Sequence, residues 1–246
     1  MLEFLSPNCF ALGPDLYMNL LIQVTNKYQG NYAAAFGPQL AAGLVQNCIQ
    51  AFPKPTETIS DRATELIGLR RTFTYMLDAF LTQHVDFGCG QLVEPLMVFL
   101  GDLTLNFIES SSLKYAAKVI RKLVETYAST EVGEFIIQQA FAVTVSVVQR
   151  FNFSLMSPEA RLLTQEITHI HGVILVKLST KNLHEAFVSE LASKLGTPHA
   201  VTYSKALLES GPVLANEQGN CSEFNRRLSE LKALLLEVIK ELRGNV

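Results

Sequence analysis

Charge is scarce in this sequence, which limits the classes of partner that it can bind. Charged residues make up 17% of the 246 positions, with a formal net charge of −3, whereas soluble domains carry about 25%. No stretch has the Lys and Arg density that neutralises several phosphates, so we expect no direct nucleic-acid binding. The apolar excess predicts that part of the surface is covered by a partner or by neighbouring repeats.

Closely spaced cysteines are also missing. Cys9, Cys48, Cys89 and Cys221 lie about forty or more residues apart, and none belongs to a C-x-x-C pair. This spacing does not match the short Cys/His patterns of zinc sites. Free thiols are typical of a reducing compartment, so the pattern predicts location in the cytoplasm and/or the nucleus.

No long apolar run is present. Pro95, Asp102 and Asn106 interrupt one apolar stretch, and Gln138 and Gln149 flank another. A membrane-spanning helix needs about 18 or more consecutive apolar residues. The sequence therefore predicts no membrane span.

Motifs for catalysis are lacking as well. Neither G-x-S-x-G nor a glycine-rich phosphate loop occurs. The thiol in Gly88-Cys89-Gly90 is a candidate nucleophile, but a cysteine between two glycines is more typical of a tight turn. We predict that the chain is not an enzyme, has no catalytic residue and binds no cofactor.

Two histidines form the only close pair of candidate metal ligands. On a helix, His169 and His171 point about 200° apart, whereas Glu166 and His169 share a face. Residues 166–169 form one Glu-x-x-His motif. A helical bundle that binds two metal ions needs two such motifs, and the sequence has no second one. We predict no metal site here and expect instead a contact between Glu166 and His169 on the helix surface.

Two carboxylate pairs are spaced by one helical turn and could face a common ion. They are Asp61 with Glu65 and Glu237 with Glu241. Solvated helix faces explain both pairs. The basic residues Arg70, Arg71, Arg121 and Lys122 are likewise predicted to be exposed helix positions, along with Lys114 and Lys118.

Apolar residues recur three and four positions apart along nearly the whole chain, which predicts helices throughout. The β-branched segment 143–148 alone could form a strand, but its neighbours keep the helical spacing. Pro95 is compatible with its helix only in the first turn. The ten predicted helices cover about residues 14–29, 38–52, 60–81, 92–108, 113–127, 130–148, 158–178, 182–195, 200–208 and 222–242.

Taken in pairs, these helices form hairpins that begin near residues 14, 57, 112 and 158, a period of about 43 to 55 residues. HEAT and armadillo repeats have periods around this range, and their hairpins stack because one hairpin cannot bury its apolar face alone. The predicted fold is all-α, with antiparallel helical hairpins stacked as a HEAT-like α-solenoid. We assign the solenoid to residues 1–210, a linker to 211–220 and an amphipathic helix to 221–246.

The last predicted helix carries the clearest apolar stripe. It has two possible roles: a final core helix, or a docking element for another chain. The candidate partner-binding residues of this stripe are Phe224, Leu228, Leu231, Leu235, Val238 and Leu242.

The hairpins resemble those of a known family. Residues 61–80 with 92–108, and 113–127 with 134–151, look like HEAT hairpins, and the Phe- and Leu-rich segment 73–81 is similar to repeats of importin-β-type transport receptors. The resemblance covers about residues 14–195 and includes no motif from which a functional residue can be carried over. It implies binding of cargo and of a Ran-type small GTPase through the concave helices.

Two functions follow as hypotheses. The first is a non-enzymatic protein-binding scaffold that belongs to a nucleocytoplasmic transport receptor. The alternative is a structural helical-repeat subunit of a larger trafficking or chromatin-associated complex, whose apolar faces are permanent interfaces.

Overall fold

The structure is a computed structural model that describes residues 13–29, 33–52, 63–106, 110–151, 157–178, 180–215 and 221–244. Within these ranges every regular element is an α-helix, which confirms the all-α class. The ten helices are α1 (Pro14–Tyr28), α2 (Ala33–Ala51), α3 (Ala63–Thr82), α4 (Cys89–Asn106), α5 (Ser110–Tyr127), α6 (Gly133–Gln149), α7 (Pro158–Lys177), α8 (Lys181–Leu195), α9 (Pro198–Leu214) and α10 (Cys221–Gly244).

Local capping explains where several helices begin and end. Ser157, Thr180 and Thr197 precede α7, α8 and α9, and each side chain accepts a backbone N–H from three residues further on. Gly196 ends α8 in the left-handed conformation, with a φ of 67°, which glycine adopts without steric cost. The β-branched segment 143–148 lies inside α6, as the helical spacing predicts.

The start of α4 differs from the prediction. The helix begins at Cys89, so Pro95 lies in its second turn and not in its first. Gly88 forms the preceding turn with a φ of +66°. A proline at this position leaves the carbonyl of Gln91 without its helical N–H partner. Both Pro95 and Gln91 are exposed, so water can bind that carbonyl and the helix continues.

The end of α9 also differs from the prediction. The helix does not stop at residue 208 but continues through Gly211 and Pro212 to Leu214. The predicted linker 211–220 therefore begins within a helix, and its residues 216–220 lie outside the described ranges. The division into residues 1–210, 211–220 and 221–246 is not tested by this change and stays a prediction.

A close crossing of α7 and α9 gives the physical reason for the longer helix. Leu214 is buried over Gly172, where an added Cβ would lie 3.0 Å from a Leu214 methyl carbon. In return, Leu175 packs over Gly211, where a Cβ would lie 3.4 Å from its methyl carbon. Each glycine thus accommodates a leucine of the other helix. This packing stabilises the last turn of α9, which a sequence pattern cannot show.

The chain divides into two compact units, residues 1–126 and 127–246. In the first unit α1 packs against α3 and α2 against α4. Its core includes a triangle of Phe52, Phe73 and Phe99, with ring centroids between 5.2 and 5.6 Å apart. Contacts between helices two positions apart are the kind that stacked hairpins make.

The second unit has a denser set of helix contacts. α9 packs against α7, α8 and α10, while α6 packs against α7, α8 and α10. α10 also contacts α7, so it meets helices well beyond its nearest neighbour in the chain. Such contacts belong to a bundle more than to a one-dimensional array. Stacking of the hairpins as a HEAT-like solenoid stays a prediction.

A tight turn joins α5 to α6. The backbone N–H groups of Thr130 and Gly133 donate to the carbonyls of Tyr127 and Thr130, each at 2.9 Å. A Cβ added to Gly133 would lie 2.1 Å from the carbonyl oxygen of Ala128. Only glycine allows this approach, because the obstacle is backbone and cannot move aside as a side chain can.

We expect Gly133→Ala to lower the free energy of unfolding by about 2 kcal/mol or more, because the turn must rearrange. Gly244→Ala is the control, since a Cβ there meets nothing within 4 Å, and it should change stability by less than about 0.5 kcal/mol. Urea denaturation of both variants measures the difference. Equal stabilities would show that the turn adapts without cost.

Candidate functional site

A fully buried histidine lies at the centre of the second unit. His171 is on α7, and both of its ring nitrogens lie at hydrogen-bond distance from hydroxyl groups on other helices. Its Nδ1 is 2.8 Å from the Tyr203 hydroxyl of α9. Its Nε2 is 3.0 Å from the Thr144 hydroxyl of α6.

The partners of Thr144 assign the positions of the protons. The carbonyls of Ala140 and Phe141 each lie 2.9 Å from the Thr144 hydroxyl oxygen and share its single proton. With that proton directed to the carbonyls, the oxygen accepts from the Nε2–H of His171, and Nδ1 accepts from the Tyr203 hydroxyl. This network assigns the imidazole as the neutral Nε2–H tautomer, with both ring nitrogens hydrogen-bonded.

Aromatic packing closes the surroundings of this histidine. The ring of Phe187, on α8, meets the His171 ring edge-on, with centroids 6.4 Å apart. Phe187 in turn meets Phe141 of α6 at 5.5 Å. Side chains from α6, α7, α8 and α9 thus converge on one imidazole. We call Thr144, His171 and Tyr203 the buried polar chain.

Burial determines the protonation of this chain. Desolvation lowers the pKa of His171 from its ordinary 6.5 to about 3, because the charged imidazolium has no counter-ion there. Desolvation also raises the pKa of Tyr203, which outweighs an opposing hydrogen bond with Thr168. Both groups are neutral at physiological pH. Neither ring nitrogen is available to a ligand or a substrate. The hydrogen bonds of the buried polar chain therefore serve to hold α6, α7 and α9 together.

The sequence analysis did not find this cluster. The predicted surface contact concerned Glu166 and His169 and stays a prediction, whereas no role was predicted for His171, which is fully buried. His169, one of the predicted pair, lies on α7 with its ring 5.5 Å from that of Phe224. One signal was present: His171 falls at helical spacing within the apolar stripe that contains Ile167 and Ile174. Thr144, between Ala140 and Val147, and Tyr203, between Ala200 and Leu207, fall at the same spacing on their helices.

The C-terminal apolar stripe faces the interior of the second unit. Five of its six predicted partner-binding residues are buried, and Leu242 is half-buried. α10 lies against α9, α7 and α6, so the intramolecular role accounts for the stripe. Binding of these residues to another chain stays a prediction, and it would require α10 to leave those helices. The buried residues are Phe224, Leu228, Leu231, Leu235 and Val238.

The carboxylates of Glu237 and Glu241 have separate partners. Glu237 accepts from Lys240 at 2.6 Å. Glu241 accepts from the Nδ1–H of His199 at 2.8 Å and from its backbone N–H at 3.2 Å. These contacts attach the C-terminal end of α10 to the first turn of α9, where a carboxylate complements the helix dipole. Asp61, of the other pair, lies outside the described residues.

A carboxylate in the first unit has two lysine partners. Asp78 of α3 pairs with Lys118 at 2.8 Å and also with Lys122, both on α5. Desolvation acts to raise the pKa of Asp78, but the hydrogen bonds and attraction of the two lysines outweigh it and hold the pKa below its ordinary value. These residues were predicted to be exposed. Lys118 and Lys122 are instead half-buried, and for Arg70 the prediction is wrong, since it is 7% exposed.

One helix face in the first unit has exposed leucines. Leu16 is 79% exposed and Leu20 is 43% exposed, and they lie one turn apart on α1. The opposite face of α1 is buried and includes Met18 and Leu21. Asn19 and Gln23 share the exposed face with the two leucines. We call Leu16 and Leu20 the α1 apolar face.

Comparison with known proteins gives no relative from which a site could be transferred. No protein-family model, no curated protein and no solved structure matches the chain. Over the described residues, no three or more His, Cys, Asp or Glu side chains come together as a metal site would require. In the same ranges, no helix has both the length and the apolar character that crossing a membrane demands.

We expect Thr144→Val to lower the free energy of unfolding by about 1 to 3 kcal/mol, because it leaves the Nε2–H of His171 buried without an acceptor. The matched control is Thr164→Val in α7. Thr164 is also fully buried, and its hydroxyl donates to the carbonyl of Ala160 in its own helix at 2.7 Å. Its loss should cost less, since the helix ladder already uses that carbonyl. Equal losses in urea denaturation would contradict the role of Thr144 as the hydrogen-bond partner of His171.

Acid should destabilise the second unit through His171. Its folded pKa, about 3, lies below the ordinary 6.5, so the unfolded state binds the proton first as the pH falls. Stability should therefore be complete above about pH 6.5 and fall by about 1.4 kcal/mol per pH unit below it, down to the folded pKa. The measurement is urea denaturation at several pH values in wild type and in His171→Gln.

The comparison of the two proteins isolates this histidine, because the carboxylates titrate in both. The stability advantage of wild type over His171→Gln should shrink as the pH falls from about 7 to 5. A constant difference would show that His171 binds protons equally well in the folded and unfolded states.

Proposed function

We propose that this chain is a non-enzymatic, protein-binding helical scaffold, and that the hairpins of its first unit stack as in a HEAT-like solenoid. The observation that carries the proposal is the α1 apolar face, where two leucines one turn apart lie exposed on a helix whose other face is already buried. Single exposed apolar residues are common on protein surfaces, but adjacent ones are typical of interaction sites.

The helix contacts of the first unit give further support. α1 packs against α3 and α2 packs against α4, as hairpins do when each covers the next. Another protein, or a further hairpin, could cover the α1 apolar face. The low charged fraction of 17% is in keeping with a chain that hides part of its surface against partners.

The chemistry of the interior favours a scaffold over an enzyme. The most polar buried cluster, the buried polar chain, uses both imidazole nitrogens internally. Asp78 is neutralised by two lysines. In both clusters the polar groups are paired with one another and stabilise helix packing.

The resemblance to importin-β-type receptors extends the proposal to nucleocytoplasmic transport. The partners would then be cargo proteins and a Ran-type small GTPase, and the chain would act in the cytoplasm and the nucleus. Cys48 and Cys221 are free thiols, one buried and one exposed, in keeping with a reducing compartment. The alternative is a structural subunit of a trafficking or chromatin-associated complex.

The test is a pull-down with three versions of the full chain: wild type, Leu16→Glu/Leu20→Glu and Gln23→Glu. The double variant places charge on the α1 apolar face and should reduce partner binding by roughly tenfold or more. Gln23→Glu adds charge to the same exposed surface without removing a leucine, so it should bind as wild type does. Purified Ran-type GTPase locked in its GTP form is the defined probe beside cell extract.

The outcomes separate the proposals. Equal binding by all three versions would mean that α1 is not the binding face. If the GTP-locked GTPase is not enriched, the proposed role in nucleocytoplasmic transport is wrong. Light scattering tests the alternative: wild-type aggregation that the double variant abolishes would identify a permanent subunit interface, whereas we expect a monomer.

A further inference from the structure

Two arginines precede an exposed serine on α10. Arg226, Arg227 and Ser229 lie in the sequence Arg-Arg-Leu-Ser, with side chains 56% and 40% exposed for the two arginines. Many serine/threonine kinases recognise a substrate by basic residues two and three positions before the acceptor, because their peptide-binding groove is acidic. We propose that Ser229 is a phosphorylation site for a kinase of this basophilic class.

The structure distinguishes this serine from a similar threonine. Thr74 also follows two arginines, Arg70 and Arg71. However, Thr74 is fully buried in α3, and its hydroxyl donates to the carbonyls of Arg70 and Arg71 at 2.7 and 2.9 Å. Ser229 is exposed, and its hydroxyl donates to the carbonyl of Asn225 at 2.9 Å. Of the two, Ser229 is the accessible acceptor.

A kinase groove binds an extended peptide, so the N-terminal turns of α10 must open for the reaction. Leu228 and Phe224 are the buried side chains that resist this opening. The other end of the helix is fixed by Glu241, which accepts two hydrogen bonds from His199. Since helix ends open at lower free energy than helix centres, α10 opens from Cys221 toward Ser229 while its C-terminal half stays in place.

The reaction needs MgATP and the kinase as co-reactants. The Ser229 oxygen attacks the γ-phosphorus of ATP, and the bond from that phosphorus to the β-γ bridging oxygen breaks. ADP leaves, and the hydroxyl proton passes to the catalytic base of the kinase. The product is a phosphoserine with a charge of about −1.5 to −2 at neutral pH.

The new charge would change the ion pairs of this helix surface. Arg226 now pairs with Glu230 at 2.7 Å and with Glu223 at 3.6 Å. A phosphate on Ser229 lies one helical turn from Arg226 and next to Glu230 in the chain. It therefore attracts Arg226 and repels Glu230, which moves the arginine from the carboxylate to the phosphate.

The experiment incubates the purified full chain with a basophilic kinase and MgATP and locates the product by mass spectrometry. One phosphoryl group should appear on Ser229, be absent in Ser229→Ala and persist on the residue in Ser229→Thr. Arg226→Ala/Arg227→Ala should lower the initial rate by roughly tenfold or more, since charge-assisted hydrogen bonds to the kinase are lost. Arg243→Ala removes an arginine far along the same helix and should leave the rate unchanged.

Circular dichroism of each variant checks that it is folded. A synthetic peptide of residues 221–235 tests whether the folded helix prevents phosphorylation of Ser229. If the peptide is phosphorylated and the full chain is not, the fold hides Ser229 and the proposal is wrong. Labelling of Thr74 in place of Ser229, an unchanged rate without the two arginines, or no labelling of chain and peptide would also overturn it.

Discussion

The packing of the second unit depends on a neutral imidazole that forms two hydrogen bonds. Burying His171 costs solvation free energy, which is recovered only if Nδ1 finds a donor and Nε2–H finds an acceptor. Tyr203 and Thr144 supply them from α9 and α6. The positions of three helices are thereby coupled, because a shift of any one breaks a hydrogen bond that water cannot replace. The paired glycines Gly172 and Gly211 beside it allow α7 and α9 to approach closely enough for this geometry.

The first unit is stabilised in a different way. Its interior is formed by apolar and aromatic side chains, including the triangle of Phe52, Phe73 and Phe99. Its main polar contact is the Asp78 cluster, where residual exposure moderates the desolvation of the charges. Apolar packing tolerates small helix shifts better than a hydrogen-bond chain does, since it is not directional. We therefore expect the helices of the second unit to shift less, relative to one another, than those of the first unit.

The distribution of exposed apolar surface determines where partner binding is proposed. The stripe of α10, the most obvious docking element in the sequence, is used for packing in the second unit. The α1 apolar face is exposed instead, so binding is proposed at a face of the first unit. Both proposed surface events, partner binding at α1 and phosphorylation of Ser229, involve groups outside the buried polar chain. Phosphorylation of Ser229 nevertheless requires Phe224 and Leu228 to leave the core of the second unit.

The sequence by itself determined the all-α class and the approximate positions of the helices in the described residues, because apolar spacing, N-cap residues and glycine stops act locally. It also identified the apolar stripe of α10, but it left open whether the stripe packs in the core or docks on another chain. Tertiary structure alone decided that Arg70 is buried, that α9 continues to Leu214, and that His171 meets Thr144 and Tyr203. These features depend on residues that are far apart in the sequence and lie on neighbouring helices: His171 is 27 positions from Thr144 and 32 from Tyr203. Periodicity reports which face of a helix is apolar, but not which helix covers it.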